Sequence, residues 1–349
     1  MSHYRLRHLI LSASLIGLCA CTQAVNTKSP APTGQEVHKA KNIILFIGDG
    51  MGISTITAAR IFAGQSEGGN GENYKLSFEK FPQTALVRTY NLDAQVPDSA
   101  GTASAINTGK RTQIGKINVQ PDGPFAGCAK STDTPPPLFA DLAENAGLST
   151  GVVSTARLTH ATPAAVYGHA LSRGWESDGD VRTGGKEQGC VDLATQLIQY
   201  GGQNGLEIAL GGGRRAFLPR GHGGKRQDGK NLTIGWTKKS NDHVYVEDAS
   251  GLRALKPEAK QAVLGLFQSS HMSYEVDRDN AKEPSLTELT QFAIQNLEAR
   301  GTGYFLMVEA GRIDHAHHAT NAYRALSETQ ELSNAVALAD KLTNDDDTL

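Results

Sequence analysis

The chain has 349 residues, of which 39% are hydrophobic and 6% are aromatic, and this allows one large α/β domain or two small ones. Its formal net charge of −2 provides no basic surface, which argues against nucleic acid as a partner. The 38 glycines fit a fold in which helices pack closely on a sheet.

The first 21 residues are typical of an export signal. A short basic stretch precedes an apolar run at residues 9–20, which is too short to span a bilayer. The run ends at Leu18-Cys19-Ala20-Cys21, which resembles a bacterial lipoprotein box with Cys21 as the lipidated residue; ordinary cleavage nearby is the alternative. Residues 22–40 are predicted to form a flexible tether. We therefore expect an exported bacterial protein, in the periplasm or anchored to the outer membrane through a lipid.

Export bears on the interpretation of the remaining cysteines. After Cys21 only Cys128 and Cys190 are left, and an even pair in an oxidising compartment most economically forms one disulfide. Closing the long loop between them would stabilise the fold by roughly 2–4 kcal/mol. The alternative is two buried free thiols.

Apolar runs and helical patterns alternate from residue 41 onward. The first run, residues 43–47, is followed by a glycine-rich turn and a helical stretch to residue 63, as at the start of a parallel sheet. Further strands are predicted at residues 148–154, 206–210 and 304–308, and further helices at 138–146, 192–200 and 285–300. This alternation predicts one doubly wound, mostly parallel α/β domain over residues 41–349. Residues 214–235, rich in glycine and charge, are expected to form a surface excursion.

Polar residues stand at the ends of several predicted strands. Asp49 follows the first strand, Glu309 ends the last one, and a polar segment follows Ser154. Because ligands bind beyond the carboxyl ends of the strands in such sheets, we expect these residues at one edge. The glycines around Asp49 match a dinucleotide-binding pattern only weakly, and no acidic residue at the end of an apparent second strand supports that interpretation.

The densest group of candidate metal ligands follows the last predicted strand. Asp314 and His318 are four residues apart and share one face of a predicted helix. A carboxylate oxygen and an imidazole nitrogen suit zinc, and a site with few protein ligands leaves a position for substrate. His315 and His317 compete as ligands, and spacing alone cannot choose among the three histidines. The alternative is a solvated polar turn.

Asp98 and Ser99 precede a run of small residues and predict the start of a helix. A serine at a helix N-terminus lies in positive potential, which suits an alkoxide nucleophile and a phosphoryl group. A nearby metal ion would lower the pKa of its hydroxyl further. The alternative is a helix cap with no chemical role.

Thr162 and Arg173 are candidate ligands in a third polar segment. Thr162 precedes Pro163, which favours extended backbone, and its hydroxyl could bind a hard cation such as magnesium. Arg173 could hold a phosphate through two hydrogen bonds. A capping threonine and a surface arginine are the structural alternatives.

Four motifs together resemble the alkaline phosphatase family, in the same order and from about residue 41 to the end. They are Ile47-Gly48-Asp49-Gly50-Met51-Gly52, Pro97-Asp98-Ser99-Ala100-Gly101-Thr102-Ala103, His160-Ala161-Thr162-Pro163-Ala164-Ala165 and Val308-Glu309-Ala310-Gly311-Arg312-Ile313-Asp314-His315-Ala316-His317-His318. The resemblance implies hydrolysis of small phosphate monoesters to alcohol and inorganic phosphate through a phosphoserine. It also implies two zinc ions, one magnesium ion and a homodimer.

The resemblance implies a ligand set for these metals. Asp49 would bridge one zinc and the magnesium, and Thr162 and Glu309 would complete the protein ligands of magnesium. Asp314 and His318 would bind the other zinc, which selects one of the three histidines.

The resemblance also implies roles in phosphoryl transfer. Ser99 would be the nucleophile, and Arg173 would hold two phosphate oxygens. His160, Asp98 and His315 would surround the site without binding a metal themselves. His160 looks more like the animal enzymes, in which two cysteines at matching places form a disulfide, and this supports the cysteine pairing.

The chain departs from the family pattern at its C-terminus. The family needs another Asp-His pair and a last histidine for zinc, on and after a strand that should follow Asn344-Asp345-Asp346-Asp347, whereas this sequence ends at Leu349. We therefore expect a truncated phosphatase that lacks its last strands and part of its zinc site. An inert, metal-poor surface lipoprotein with this fold is one alternative. Another is a related hydrolase of diesters, sulfates or phosphonates, although Ser99 with Arg173 favours monoesters.

Overall fold

The computed structural model describes residues 40–120, 127–130, 134–201 and 205–349. The predicted export signal, the lipidation site Cys21 and all but the last residue of the predicted tether lie outside these ranges. No helix within them combines the length and the apolar character that a membrane crossing requires.

One parallel sheet organises the described residues. Its strands are β1 (Ile43–Gly48), β2 (Ser149–Arg157), β3 (Ile208–Gly212), β4 (His243–Val246), β5 (Ala262–Leu266) and β6 (Tyr304–Ala310). They lie in the order β1-β6-β2-β3-β5-β4, and every neighbouring pair is parallel. Parallel neighbours need crossover connections, which the intervening helices supply.

Helices cover both faces of this sheet. They are α1 (Ile53–Ser66), α2 (Ser99–Thr108), α3 (Phe139–Asn145), α4 (Ala161–Ala164), α5 (Thr183–Glu187), α6 (Leu193–Gln199), α7 (Leu232–Thr237), α8 (Ala249–Ala254), α9 (Leu286–Glu298), α10 (Arg312–His318) and α11 (Ala322–Leu342). Val152 belongs to an apolar cluster with α3, α4, α6 and α7, whereas Val153 belongs to another with α9 and α11. Successive strand residues point to opposite faces, so the two clusters lie on opposite sides of the sheet. The predicted doubly wound α/β fold is confirmed.

Local sequence explains where several helices begin. Asp98, Asp192, Asp248 and Ser285 each accept a hydrogen bond from the backbone N–H three residues further on. Such a cap satisfies an N–H that has no partner within the helix and contributes about 1 kcal/mol. The start of α2, which carries Ser99, is therefore set by the residue that precedes it.

The four predicted strands correspond to β1, β2, β3 and β6, whereas β4, β5 and the long α11 are not among the predicted elements. The expectation of a surface excursion at residues 214–235 is wrong in part. Phe217 is 0% exposed and Arg226 is 2% exposed. Phe217 packs in the first apolar cluster, and Arg226 donates hydrogen bonds to Asp192 and Asp228, which compensate its buried charge.

The two cysteines of the described chain form the expected pair. Cys128 and Cys190 are joined by a disulfide across a sequence separation of 62 residues, so the alternative of two free thiols is not realised. Backbone hydrogen bonds from Ala129 to Gly189 and from Lys130 to Gln188 flank the bond. The disulfide thus fastens residues 127–130 to the segment that follows α5.

Candidate active site

The carboxyl edge of the sheet brings together residues from three strands. Glu309 near the end of β6 pairs in register with Ile47 of β1 on one side and with Ser154 of β2 on the other. Asp49 directly follows β1. The structure therefore places Asp49, Glu309 and the segment after Ser154 at one edge, as the strand-end rule predicts.

Ser99 is the first residue of α2 and faces Asp49. Its hydroxyl Oγ lies 3.1 Å from Oδ1 and 3.0 Å from Oδ2 of Asp49, to which it donates. Asp98 caps the helix by accepting from the N–H of Gly101 at 3.1 Å. The hydroxyl thus sits at a helix N-terminus, where positive potential favours its ionised form and an anionic ligand.

Arg173 is held beside this serine by two polar contacts. Its Nη1 donates to Oδ2 of Asp98 at 3.1 Å, and its Nη2 donates to Nε2 of His160 at 2.9 Å. The side chain remains 31% exposed, so the guanidinium can reach a ligand from solvent. Burial opposes ionisation of Asp98, but hydrogen bonds from Gly101 and Asn91 and the charge of Arg173 outweigh it and lower the pKa of Asp98. Asp98 is therefore an anion that orients Arg173 while capping α2.

Glu309 is 0% exposed and accepts a hydrogen bond from the Ser154 hydroxyl through Oε2, while its Oε1 has no partner in the described part of the chain. Burial, and then the charge of Asp49, raises the pKa of Glu309, although Ser154 and Thr162 oppose the shift. Burial and the charge of Asp314 likewise raise the pKa of Asp49. Glu309 is buried and Asp49 is half-buried, and in both the surroundings disfavour the charged form, so a cation would stabilise this environment.

The donor set at this position fits a small hard cation. Ligand atoms of Asp49, Glu309 and His160 lie within 4.8 Å of one another. Because Nη2 of Arg173 donates to Nε2 of His160, that neutral ring has no lone pair left, and the two carboxylates are the groups that can bind the cation. Carboxylate and hydroxyl oxygens are the ligands that magnesium prefers. Thr162 lies in α4 rather than in the expected extended conformation. Pro163 is compatible with that helix because its missing N–H falls in the first turn, where no carbonyl partner exists.

The three histidines of α10 have different partners. Nε2 of His318 lies 3.4 Å from Oδ2 of Asp314, on the shared face expected from their spacing. His317 instead contacts the hydroxyl of Thr55 in α1 at 3.0 Å. His315 faces the ring of His271, with centroids 4.0 Å apart. His318 is therefore the histidine that accompanies Asp314.

A glycine permits the approach of Asp314 to the turn that holds Asp49. A Cβ at Gly50 would lie 2.6 Å from Oδ1 of Asp314, and the φ of Gly50 is +65°. A side chain at this position would thus be strained and would displace the carboxylate. The second glycine of the first motif is required for packing against α10.

The structure adds three residues to those predicted from the sequence. Arg157 at the end of β2, His271 in the loop after β5 and Arg312 at the start of α10 lie beside the site. Arg312 belongs to the fourth motif, which was its only signal. His271 had none because β5 was not recognised as a strand.

Burial and neighbouring arginines lower the pKa values of three histidines in this region. Burial, followed by the charge of Arg312, lowers the pKa of His315 to about 4. Burial and then the charge of Arg173 lower the pKa of His160, and burial with the charge of Arg157 lowers that of His271. All three imidazoles are consequently neutral near pH 7.

Comparison with known proteins gives one consistent result. The family model described as "Alkaline phosphatase" matches residues 40–349. Tissue-nonspecific alkaline phosphatase of Gallus gallus is 43% identical over 324 residues, which cover 89% of this chain and 62% of that protein. The crystal structure of Thermus thermophilus alkaline phosphatase superposes with a TM-score of 0.71 at 29% identity, covering 89% of this chain and 58% of that one.

A further similar structure is a variant of the TAB5 alkaline phosphatase with magnesium bound, with a TM-score of 0.66 and 26% identity, covering 89% of this chain and 76% of that one. The chain spans about three-fifths of the length of the first curated relatives it matches, 62% of the Gallus gallus protein among them.

Proposed function

Because the chain belongs to the alkaline phosphatase family, we propose that it carries the catalytic centre of a phosphate monoester hydrolase. The phosphoryl group of a small monoester would pass first to Oγ of Ser99, with release of the alcohol, and then to water, with release of inorganic phosphate. Phosphoryl transfer needs positioning and charge more than covalent chemistry from the protein.

The observation that carries this proposal is the position of the Ser99 hydroxyl. It stands at the N-terminus of α2, donates to the carboxylate of Asp49, and has Arg173 beside it on the Asp98 carboxylate. Asp49 favours removal of the proton from Oγ when a cation is present, and the helix terminus favours the resulting anion.

Arg173 is proposed to hold two oxygens of the transferred phosphoryl group. A guanidinium presents its N–H groups in a fixed fork, which matches a phosphate better than a flexible ammonium does. Asp98 and His160 each engage one of its terminal nitrogens and so restrict its rotation. Prior orientation of this kind reduces the entropy lost when substrate binds.

The metals of the family are proposed to bind the carboxyl edge described above. Asp49, Thr162 and Glu309 would hold magnesium, Asp49 would also contact one zinc, and Asp314 with His318 would hold the other. The buried Oε1 of Glu309, which lacks a partner in the described residues, supports the magnesium assignment. When bound, these ions supply positive charge for the ionised serine and for the leaving oxygen.

Other aspects of the whole protein are also proposals. From the sequence we propose that residues 41–349 form the phosphatase domain, that the chain is exported through residues 1–21, and that a lipid on Cys21 attaches it to a bacterial membrane. We further propose a homodimer, following the family resemblance. None of these rests on the geometry of the site.

The proposal is tested by trapping the phosphoserine. The 349-residue chain, with zinc and magnesium added, is incubated with an aryl phosphate and quenched in acid, and mass spectrometry locates the added phosphate. We expect it on Ser99 and expect none in Ser99→Ala. Ser250→Ala is the matched control, because Ser250 also lies in the first turn of a helix and donates to an aspartate, Asp248, at 2.7 Å. Labelling that survives in Ser99→Ala would overturn the nucleophile assignment.

A further inference from the structure

A basic cluster borders the candidate active site on the side of Arg173. It contains three histidines and three arginines: His160, His271, His315, Arg157, Arg173 and Arg312. Ring nitrogens of the three histidines lie within 4.8 Å of one another, a spacing that would also suit a metal ion. The hydrogen bonds of the arginines decide between a cation and an anion as the ligand of this cluster.

An arginine side chain has only donors, so any imidazole nitrogen that it contacts must be an acceptor. Nη2 of Arg173 lies 2.9 Å from Nε2 of His160, and Nη1 of Arg312 lies 3.1 Å from Nδ1 of His315. In each neutral ring the proton must then be on the other nitrogen. Nε2 of His315 is therefore an N–H donor, and it has no hydrogen-bond partner in the described part of the chain.

His271 is excluded as a metal ligand for a related reason. Nη1 of Arg157 donates to its Nε2, and the backbone N–H of Arg157 points at its Nδ1 from 3.3 Å. A neutral imidazole has a single lone pair, and one of these two donors occupies it, so none is left for an ion. Since a metal needs lone pairs from the ring nitrogens, the cluster is built for a ligand that accepts hydrogen bonds.

The charges in the cluster favour the same conclusion. Arg157 pairs with Glu176 at 2.6 Å, and Arg173 pairs with Asp98. Arg312 stacks on Tyr274, with its Cζ 3.8 Å from the ring centroid, and no carboxylate oxygen of the described residues lies within 4.0 Å of its nitrogens. Its positive charge is therefore not neutralised by an ion pair.

Among the carboxyl groups, Glu328 has the strongest electrostatic effect on Arg312, and only the effect of Tyr274 is larger. It accepts from the N–H of Glu275 at 2.7 Å, and burial raises the pKa of Glu328 to about 8. Burial thus favours the neutral form of Glu328, which leaves more of the charge of Arg312 available to a ligand.

Resting on the proposed function, we propose that Arg312 and Nε2–H of His315 form a second anion subsite beside Arg173. The chain would then bind phosphate monoesters that carry a second anionic group, a phosphoryl or a carboxylate, more tightly than those that carry none. The contacts between His160 and Arg173 and between the rings of His160 and His315, whose centroids are 5.4 Å apart, place the two anion positions side by side.

The test compares two phosphonates that cannot be hydrolysed, methylphosphonate and phosphonoacetate, which differ by one carboxylate. Their Kd values for the 349-residue chain with zinc and magnesium are measured by isothermal titration calorimetry. A charge-assisted hydrogen bond to the second anion should make phosphonoacetate bind roughly tenfold or more tightly. Arg312→Gln and His315→Ala should remove this preference and leave the Kd of methylphosphonate within about twofold.

Two variants serve as matched controls. Arg324→Gln removes a positive charge from the same Tyr274 ring, but Arg324 is already paired with Asp277 at 2.7 Å, so the preference should persist. His315→Gln keeps an N–H donor near the position of Nε2 and should retain much of the preference. Equal affinity of the original chain for both probes, or a preference that persists in Arg312→Gln, would overturn the subsite.

Arg173→Ala separates failure of the subsite from failure of the proposed function. This variant should bind both probes more weakly, because both carry the phosphonate. If Arg173→Ala leaves methylphosphonate binding unchanged while Arg312→Gln removes the preference, the subsite stands and the phosphate site assigned to Arg173 fails. If neither probe binds the original chain, both proposals are refuted.

Discussion

Replacing Glu309 with glutamine should change the stability of the metal-free and the metal-loaded protein in opposite directions. Without a metal, Glu309 is a fully buried carboxyl group beside the half-buried carboxyl group of Asp49, and its Oε1 has no hydrogen-bond partner among the described residues. Glu309→Gln keeps the shape of the side chain and removes the like charge. With a metal, the same change removes a charged ligand.

The stabilisation expected without metal and the metal-dependent stabilisation that the variant loses are similar in size. Burial raises the pKa of Glu309 from 4.5 to about 8, so folding near pH 7 must either bury its charge or protonate it. An amide avoids that cost, so Glu309→Gln should raise the free energy of unfolding in chelator by about 1–3 kcal/mol. Magnesium at one hundred times its Kd would stabilise the original chain by about 2.7 kcal/mol through linkage, and the variant by much less. The advantage of the variant in chelator should therefore disappear or reverse when magnesium is added.

The assay is urea unfolding followed by circular dichroism, in EDTA and in magnesium chloride, for both proteins. Glu328→Gln is the matched control, because Glu328 is also a buried carboxyl group with a raised pKa but lies outside the proposed ligand set. It should respond to magnesium as the original chain does. A Glu309→Gln variant that gains the full magnesium stabilisation, or that is less stable in EDTA, would refute the reasoning.

Three further changes test the fold and the site. Replacing both Cys128 and Cys190 with alanine should lower the free energy of unfolding, measured in urea, by about 4 kcal/mol. The disulfide joins residues 62 positions apart, and without it the unfolded chain gains conformational entropy. Burial raises the pKa of Glu207 from 4.5 to about 7, so the folded state binds this proton more tightly. Stability should then fall by about 3 kcal/mol as the pH rises from 4.5 to 7, and Glu207→Gln should flatten that part of the pH profile. In Gly101→Ala the new Cβ would lie 2.1 Å from Oδ1 of Asn91, so trapped phosphoserine should fall roughly tenfold while circular dichroism is unchanged.

The centre of the sheet and the first residues of the site could be predicted because local signals and one topological rule agree. The first and last predicted strands are continuous apolar runs, as expected for strands buried between two layers of helices. Asp49 and Glu309 stand where those runs end, and parallel pairing brings such ends to one edge. Asp98 before small residues predicted the start of α2, whereas the role of Ser99 is implied by the family resemblance.

The elements that were missed lack those signals for identifiable reasons. β4 and β5 have only four and five residues, and a short apolar run does not distinguish a strand from a buried loop or helix. The buried face of α11 contains Glu328, Glu331 and Ser333, so its apolar period is weak despite its 21 residues. These polar groups are buried because loops and neighbouring helices satisfy them, as the N–H of Glu275 does for Glu328.

The histidines of α10 show where sequence spacing stops being informative. Spacing gives the helix face of each one, but the partner on that face comes from a distant part of the chain: Thr55 for His317 and His271 for His315. Arg312 shows the same limit more clearly. Its motif reveals neither that it orients His315 nor that it lacks a carboxylate partner in the described chain. A ring nitrogen becomes a metal ligand or a proton donor according to what contacts the opposite nitrogen. The chemistry of this helix is therefore decided by tertiary contacts that its own sequence does not encode.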